Sequence, residues 1–181
     1  MRIIGGKLKG KSICPPSGYK ARPTTDFARE GLFNVLNNEY EMDGLCVLDL
    51  FGGTGAISFE FASRGAGRVY CVEMSPFHAN FIKSQAEAFG LENLTVVRHN
   101  VFEFLPICHE KFDIVFADPP YALADLASIP DKVFAQNILH PGAYFILEHP
   151  QEFNFSEHPR FVKEKKYGNV HFSFFEQPDN V

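Results

Sequence analysis

The chain has no tryptophan and three methionines, so its large apolar side chains are mainly its twenty phenylalanines. No stretch approaches the ~18 consecutive apolar residues that a membrane-spanning helix needs, and the start, Met1-Arg2-Ile3-Ile4-Gly5-Gly6-Lys7, has no apolar segment of the secretory kind. Cysteine is sparse: Cys14, Cys46, Cys71 and Cys108 lie far apart and form no CxxC. In a chain that can build a full core, this spacing excludes a disulfide framework and indicates free thiols in a reducing compartment. The seven histidines show neither HExxH nor a Cys/His pair at ligand spacing, so no metal is expected. Ser58 and Ser63 fall inside a predicted helix rather than at a nucleophile elbow, which removes the main serine-hydrolase candidates. Internal repeats and low-complexity segments are also missing. A cytoplasmic protein with no membrane partner is expected.

Its 181 residues fit one domain, able to bury roughly two-thirds of the unfolded surface. The net charge of −5 would argue against a nucleic-acid partner were it evenly spread. Residues 1–30 instead carry +5, and the remainder carries −10. A basic arm on an acidic body is the asymmetry of a local phosphate-binding surface; a merely solvated terminus has the same composition. Two parts are expected: residues 1–45, a basic hairpin and first helix forming a phosphate-contacting arm, and residues 46–181, the main globular body.

Residues 1–13 are predicted to form a hairpin turning at Gly5-Gly6. On its return strand the period of two would place Lys7, Lys9 and Lys11 on one face. Thr25 or Asp26 then caps a helix with an apolar stripe of Ala28, Leu32, Val35 and Leu36. Gly31 weakens that helix by up to ~1 kcal/mol relative to Ala, which suggests a closely packed neighbour. From residue 46 strands and helices alternate. Strands are predicted at 46–51, 68–73, 94–98, 112–117 and 143–148, and helices at 55–63 and from Ser75-Pro76 to Gly90. The second helix should bury Phe77, Phe81, Ile82, Ala86 and Phe89. A helical stretch at 123–137 is interrupted by Pro130, and residues 161–175 read as a hairpin turning at Tyr167-Gly168-Asn169. The pattern implies an α/β fold: a doubly wound, mostly parallel sheet with an antiparallel C-terminal hairpin and ligands at the carboxyl ends of its strands.

Three motifs fall at those ends. Asp49-Leu50-Phe51-Gly52-Gly53-Thr54-Gly55 leads from a strand into a helix, where glycines allow close backbone approach and positive φ. Glu73 ends the next strand, placed to accept from both ribose hydroxyls of an adenosine. The dinucleotide pattern would need glycine at position 58, which is Ser58. Asp49 would repel a pyrophosphate and suits a zwitterionic amino acid beside a sulfonium. S-adenosylmethionine is therefore expected, held by Asp49, Phe51, Gly52, Gly53, Thr54 and Gly55, with Glu73, Met74, Asn100 and Val101 following the next two strands. Asn100 could meet the adenine edge; capping the turn at 101–105 is an equal use for it.

Asp118-Pro119-Pro120-Tyr121 closes the fourth strand. Two prolines give a stiff extended piece that offers carbonyl acceptors and no N–H. An aryl amine is a poor nucleophile because its lone pair is delocalised into the ring. The Asp118 carboxylate and the Pro119 carbonyl could hold its two hydrogens, favour a pyramidal nitrogen and aim the lone pair at the donor methyl. Asp118 could also accept the released proton. Tyr121 would stack on the base, worth ~1–3 kcal/mol, once the base is unpaired or flipped.

Together these residues resemble the RsmD family, bacterial 16S rRNA guanine-N2 methyltransferases. The resemblance spans nearly the whole chain. It is carried by Arg2-Ile3-Ile4-Gly5-Gly6, Arg22-Pro23-Thr24-Thr25-Asp26 with Arg29-Glu30 and Leu32-Phe33-Asn34, Asp49-Leu50-Phe51, Ser63-Arg64-Gly65-Ala66, Asp118-Pro119-Pro120-Tyr121 and Glu148-His149. The Arg22–Asp26 segment discriminates best, because the other motifs occur in many methyltransferases. Small departures are Gly52-Gly53-Thr54 where Ala-Gly-Ser is commoner, and Asn100 where Asp is frequent. The resemblance implies S-adenosylmethionine as donor, N2 of one guanine (position 966 in the usual rRNA numbering) as acceptor, and the small ribosomal subunit as partner. Arg22, Thr24 and Thr25 would line either the cofactor's methionine end or the RNA; a plain helix cap is the simpler use. A monomer is expected. The rival readings are a DNA adenine-N6 methyltransferase, a protein glutamine methyltransferase, an NAD-dependent oxidoreductase and a non-catalytic ribosome-assembly factor.

Overall fold

The computed structural model describes residues 1–20 and 23–179. Seven strands form one sheet: β1 (Cys46–Leu50), β2 (Arg68–Glu73), β3 (Leu94–Arg98), β4 (Phe112–Ala117), β5 (Leu139–His149), β6 (Phe161–Tyr167) and β7 (Val170–Glu176). Their spatial order is β3-β2-β1-β4-β5-β7-β6. The first five run parallel, while β7 is antiparallel to both β5 and β6. The chain builds outward from β1 to β3, then crosses back to lay β4 beside β1. The order therefore reverses between β1 and β4, and the crevice at their carboxyl ends is where ligands of such sheets bind.

β1 is buried along its whole length, as a central strand covered on both faces must be. On one face α1 (Asp26–Glu39), α2 (Ala56–Ser63) and α3 (Pro76–Ala88) pack against Val47, Cys71, Ile114 and Phe116. On the other, α4 (Val101–Phe104), α5 (Ile129–Phe134) and their flanking turns cover Leu48, Leu50, Val115 and Leu147. α1 starts where its cap predicts, with the Thr25 hydroxyl accepting from Ala28 N at 3.2 Å. The neighbour expected at Gly31 is Tyr167: a Cβ there would lie 2.1 Å from its ring.

Four expectations need correction. Met1–Ile13 is a hairpin-like loop, but Arg2 bridges Ser12 and residues Gly6–Leu8 coil into a 3-10 turn. Lys7, Lys9 and Lys11 thus share no strand face, although all three are exposed. The cause is tertiary: Gly6, at φ +75°, rests on the Ser63 carbonyl, and Leu8 N donates to Ser63 Oγ at 2.9 Å. α3 buries Ile82 and Ala86 as expected, together with Ala79, and packs Phe81 and Phe89 half-buried against the same core, but Phe77 stays exposed beside Tyr19. Small residues let this helix sit close to the sheet. Pro130 lies in the opening turn of α5, where a missing N–H costs nothing, so it starts a helix instead of interrupting one. β5 begins at Leu139, ahead of the apolar run, because the chain around Gly142 stays paired to β4 and β7 across an irregularity.

Candidate active site

The loop after β1 has an unusual backbone. Phe51, Gly53 and Gly55 all take positive φ, at 60°, 59° and 79°. For Phe51 this is a strained conformation of the kind that surrounding structure must hold in place. Its ring packs against Phe102 from α4, 6.1 Å between centroids. Gly52 touches the floor of the loop: a Cβ there would lie 2.3 Å from the Cys71 sulfur. Gly55 caps α2 from behind and does not line the cavity.

Glu73 ties the loop to the next helix. One carboxylate oxygen accepts from Gly53 N and the other from Ser75 N, each at 2.8 Å. The Tyr19 hydroxyl donates to the Gly53 carbonyl, and its ring stacks on His78 at 4.0 Å. Burial, with Glu73 adding to it, pushes the Tyr19 hydroxyl above its usual pKa, so it remains a donor. Asn100 adopts its capping use: Oδ1 accepts from Phe102 N at 2.8 Å, with the amide nitrogen toward Met74.

These groups open onto a cavity of about 830 Å³ at the carboxyl ends of the strands. Of the residues expected to hold a cofactor, Asp49, Phe51, Gly52, Gly53, Thr54, Glu73, Met74, Asn100 and Val101 line it. Asp118, Pro119, Pro120 and Tyr121 line it as well, as do Thr24 and Thr25. Lys7, Lys9 and Lys11 do not; Lys9 borders a smaller hollow with Arg2, Gly10 and Glu30. Arg22 lies outside the described residues. The sequence reading missed Tyr19, Lys20, His78, Phe102 and Leu123, and assigned no role to Glu148. The one local signal for Glu148 was its place at the end of the fifth predicted strand; its position beside Asp118 came from the pairing of β5 with β4. Asn169 and Val170 reach the cavity from the C-terminal hairpin, a placement with no local signal.

Carboxyl groups dominate the electrostatics. Asp49 is buried, accepts from Ser58 Oγ at 2.6 Å, and is pushed up to about 7 chiefly by burial, the Ser58 bonds opposing. Asp118 is held well above the usual carboxylate range by burial, then by Glu148 and Asp49. Glu148 rises to about 7, again mainly through burial, while hydrogen bonds from Thr24 (2.7 Å) and Tyr121 (3.5 Å) pull the other way. Lys20 is the single Lys or Arg among the described residues that line the cavity. Four acids facing one lysine disfavour a pyrophosphate and favour a cationic ligand. The sulfonium and ammonium of S-adenosylmethionine fit that donor set, and a dinucleotide does not.

A family model described as Conserved hypothetical protein 95 matches residues 1–176. The chain belongs to that family. Within it, the chain is similar to Ribosomal RNA small subunit methyltransferase D of Buchnera aphidicola, 31% identical over 99% of this chain and 93% of the relative. Among solved structures, a hypothetical protein of Thermus thermophilus is 32% identical and superposes with a TM-score of 0.86 over 97% of this chain and 99% of its own. A more distant T. thermophilus structure, the 16S rRNA N2 G1207 methyltransferase RsmC in complex with AdoMet and guanosine, is 22% identical. It superposes at TM-score 0.71 over 88% of this chain and 45% of its own. That likeness bears on the fold, which is the class I methyltransferase sheet. Both the RsmD resemblance and the doubly wound sheet expected from the sequence are thereby borne out.

Proposed function

We infer that the protein transfers a methyl group from S-adenosylmethionine to the exocyclic N2 of a guanine in the 16S rRNA of the small ribosomal subunit. The observation that carries this reading is the single cavity shared by the Gly52–Thr54 loop, Glu73 and the Asp118–Tyr121 segment. One end suits an adenosine; the other offers acceptors for an amine. The family relative named as a small-subunit rRNA methyltransferase supports the RNA substrate.

Bound S-adenosylmethionine supplies an electrophilic methyl on a cationic sulfur. The protein's share is positioning and charge. Glu73, already oriented by Gly53 N and Ser75 N, keeps lone pairs for ribose hydroxyls. Asp49, on the cavity wall, would gain ionised character from a cation bound there. Asp118 and the Pro119 carbonyl accept the hydrogens of the incoming amine, and Asp118 receives the proton it releases. Tyr121, about half exposed, offers its ring to the base. Lys20, Pro23, Thr24 and Thr25 also line the cavity, and the exposed Lys7, Lys9 and Lys11 are further cations available to RNA phosphates. The basic first 45 residues would act as the RNA-contacting arm of one cytoplasmic unit. No helix in the described residues is long and apolar enough to cross a membrane.

The test is methyl transfer from labelled S-adenosylmethionine to small subunits lacking the modification, beside naked 16S rRNA and duplex DNA. N2-methylguanosine in the subunits is the expected product. N6-methyladenine in DNA, or no transfer despite tight cofactor binding, would overturn the assignment.

A further inference from the structure

Ala117 of β4 pairs with Leu147 of β5. One residue further on, Asp118 at the end of β4 lies beside Glu148 in β5, ~5 Å apart along the backbone, with side chains on the same face. That is also the face of Asp49, whose partner on β4 is Phe116. Glu148 lines the cavity and is 4% exposed, yet its carboxylate is only half used. Oε2 accepts a short bond from the Thr24 hydroxyl. Oε1 has the Tyr121 hydroxyl at 3.5 Å, too long for a strong bond. No Lys or Arg pairs with it among the described residues. A buried carboxylate with a spare acceptor calls for a donor.

We propose that Glu148 is the residue that selects guanine, its Oε1, which meets only the long Tyr121 contact, accepting the purine N1–H while Asp118 and the Pro119 carbonyl hold the adjacent N2 amine. The proposal rests on guanine N2 being the acceptor. Two carboxyl groups on adjacent strands match two donors on adjacent ring positions, and guanine presents that pair. Adenine presents a lone pair at N1 beside its amine, so the same acid would face a lone pair there. Sites built to hydrogen-bond a substrate N–H discriminate strongly against analogues that lack it. Thr24 holds Glu148 from the opposite side and so links the loop before α1 to base selection.

The competing view makes Glu148 a tether for Thr24 with no contact to the base. Small subunits reconstituted with either guanine or 2-aminopurine at the target nucleotide separate the two. 2-Aminopurine keeps the N2 amine, replaces N1–H by a lone pair and lacks O6, so the change of ratio on altering Glu148 is what isolates the N1 contact. The wild-type enzyme is expected to favour guanine by about 100-fold or more in kcat/KM. Glu148→Gln can donate to the lone pair, and should bring the ratio to within about 10-fold. Equal use of the two bases by wild type would overturn the proposal without any variant. So would a Glu148→Gln enzyme slowed equally on both bases with the ratio unchanged. No transfer to guanine-bearing subunits would remove the underlying reading as well, whereas transfer without discrimination removes this inference alone.

Discussion

Replacing Asp118 by alanine takes away one of the two acceptors that hold the amine, and replacing it by asparagine leaves a carbonyl oxygen in place. Asp118→Ala should lower kcat by about 10²–10³-fold, the usual cost of one preorganised hydrogen-bonding group. Asp118→Asn should lose about 10-fold, because a proton leaving a methylated aryl amine needs no strong base. Single-turnover methylation of small subunits, with S-adenosylhomocysteine binding as a control for the fold, checks both values. Asp49 makes a different prediction. Its folded pKa of about 7 lies above the ordinary ~3.9 of an unfolded Asp. Between those values the folded state holds a proton that the unfolded state has lost. The stability from this group is therefore complete below pH ~4 and disappears as the pH rises through 7, by at most ~1.4 kcal/mol per pH unit. Denaturation of the ligand-free protein should show wild type losing stability relative to Asp49→Asn across that window. A wild-type curve parallel to the variant would mean that Asp49 is already ionised in the empty cavity.

At the scale of elements, α2 is the hub that fixes the N-terminal segment. All eight of its residues are buried. Glu60 accepts from Ile4 N at 3.0 Å and Gly5 N at 2.7 Å, and pairs with both Arg29 and Arg64. Arg29 is fully buried and also donates to the Thr24 and Arg2 carbonyls. One carboxylate thus joins the basic loop, α1 and α2. Glu60→Ala leaves the buried Arg29 guanidinium with Asp26 as its remaining carboxylate partner and should cost roughly 3 kcal/mol, measured by urea denaturation. It should also expose residues 1–13 to proteolysis before the remainder unfolds. Cleavage and global unfolding at the same urea concentration would show that the segment belongs to the main cooperative unit.

Across the whole molecule, charge is segregated: the first thirty residues are basic and the rest is acidic. Binding to rRNA should weaken with salt according to the phosphates neutralised. Lys20→Ala, at the cavity, should reduce the slope of log K against log salt by about 1. Joint replacement of Lys7, Lys9 and Lys11 should reduce it further. Lys163→Ala should leave the slope unchanged, because that ammonium pairs with Glu39 and lies over the Tyr144 and Phe174 rings. Filter binding to small subunits across a salt series checks all three, and an altered slope in Lys163→Ala would move the RNA path to the β6 edge.

The strand–helix alternation, the glycine loop and Asp118-Pro119-Pro120-Tyr121 were legible in the sequence because each depends on local chemistry. Period, glycine φ, proline stiffness and a carboxylate at a strand end act within a few residues. The rule that ligands gather at the carboxyl ends of a parallel sheet then brought Asp49, Glu73 and Asp118 together without coordinates. The path of Lys7–Lys11 was decided by contacts with α2, and the exposure of Phe77 by how α3 sits on the sheet, both far away in sequence. Asn100 was ambiguous because an amide can cap a helix or meet a base, and only the position of Phe102 N chose the cap. The shared face of Asp118 and Glu148, thirty positions apart, required the register of β4 on β5. Long-range register sets which side chains converge, and it is specified by the packing of the whole core rather than by either strand.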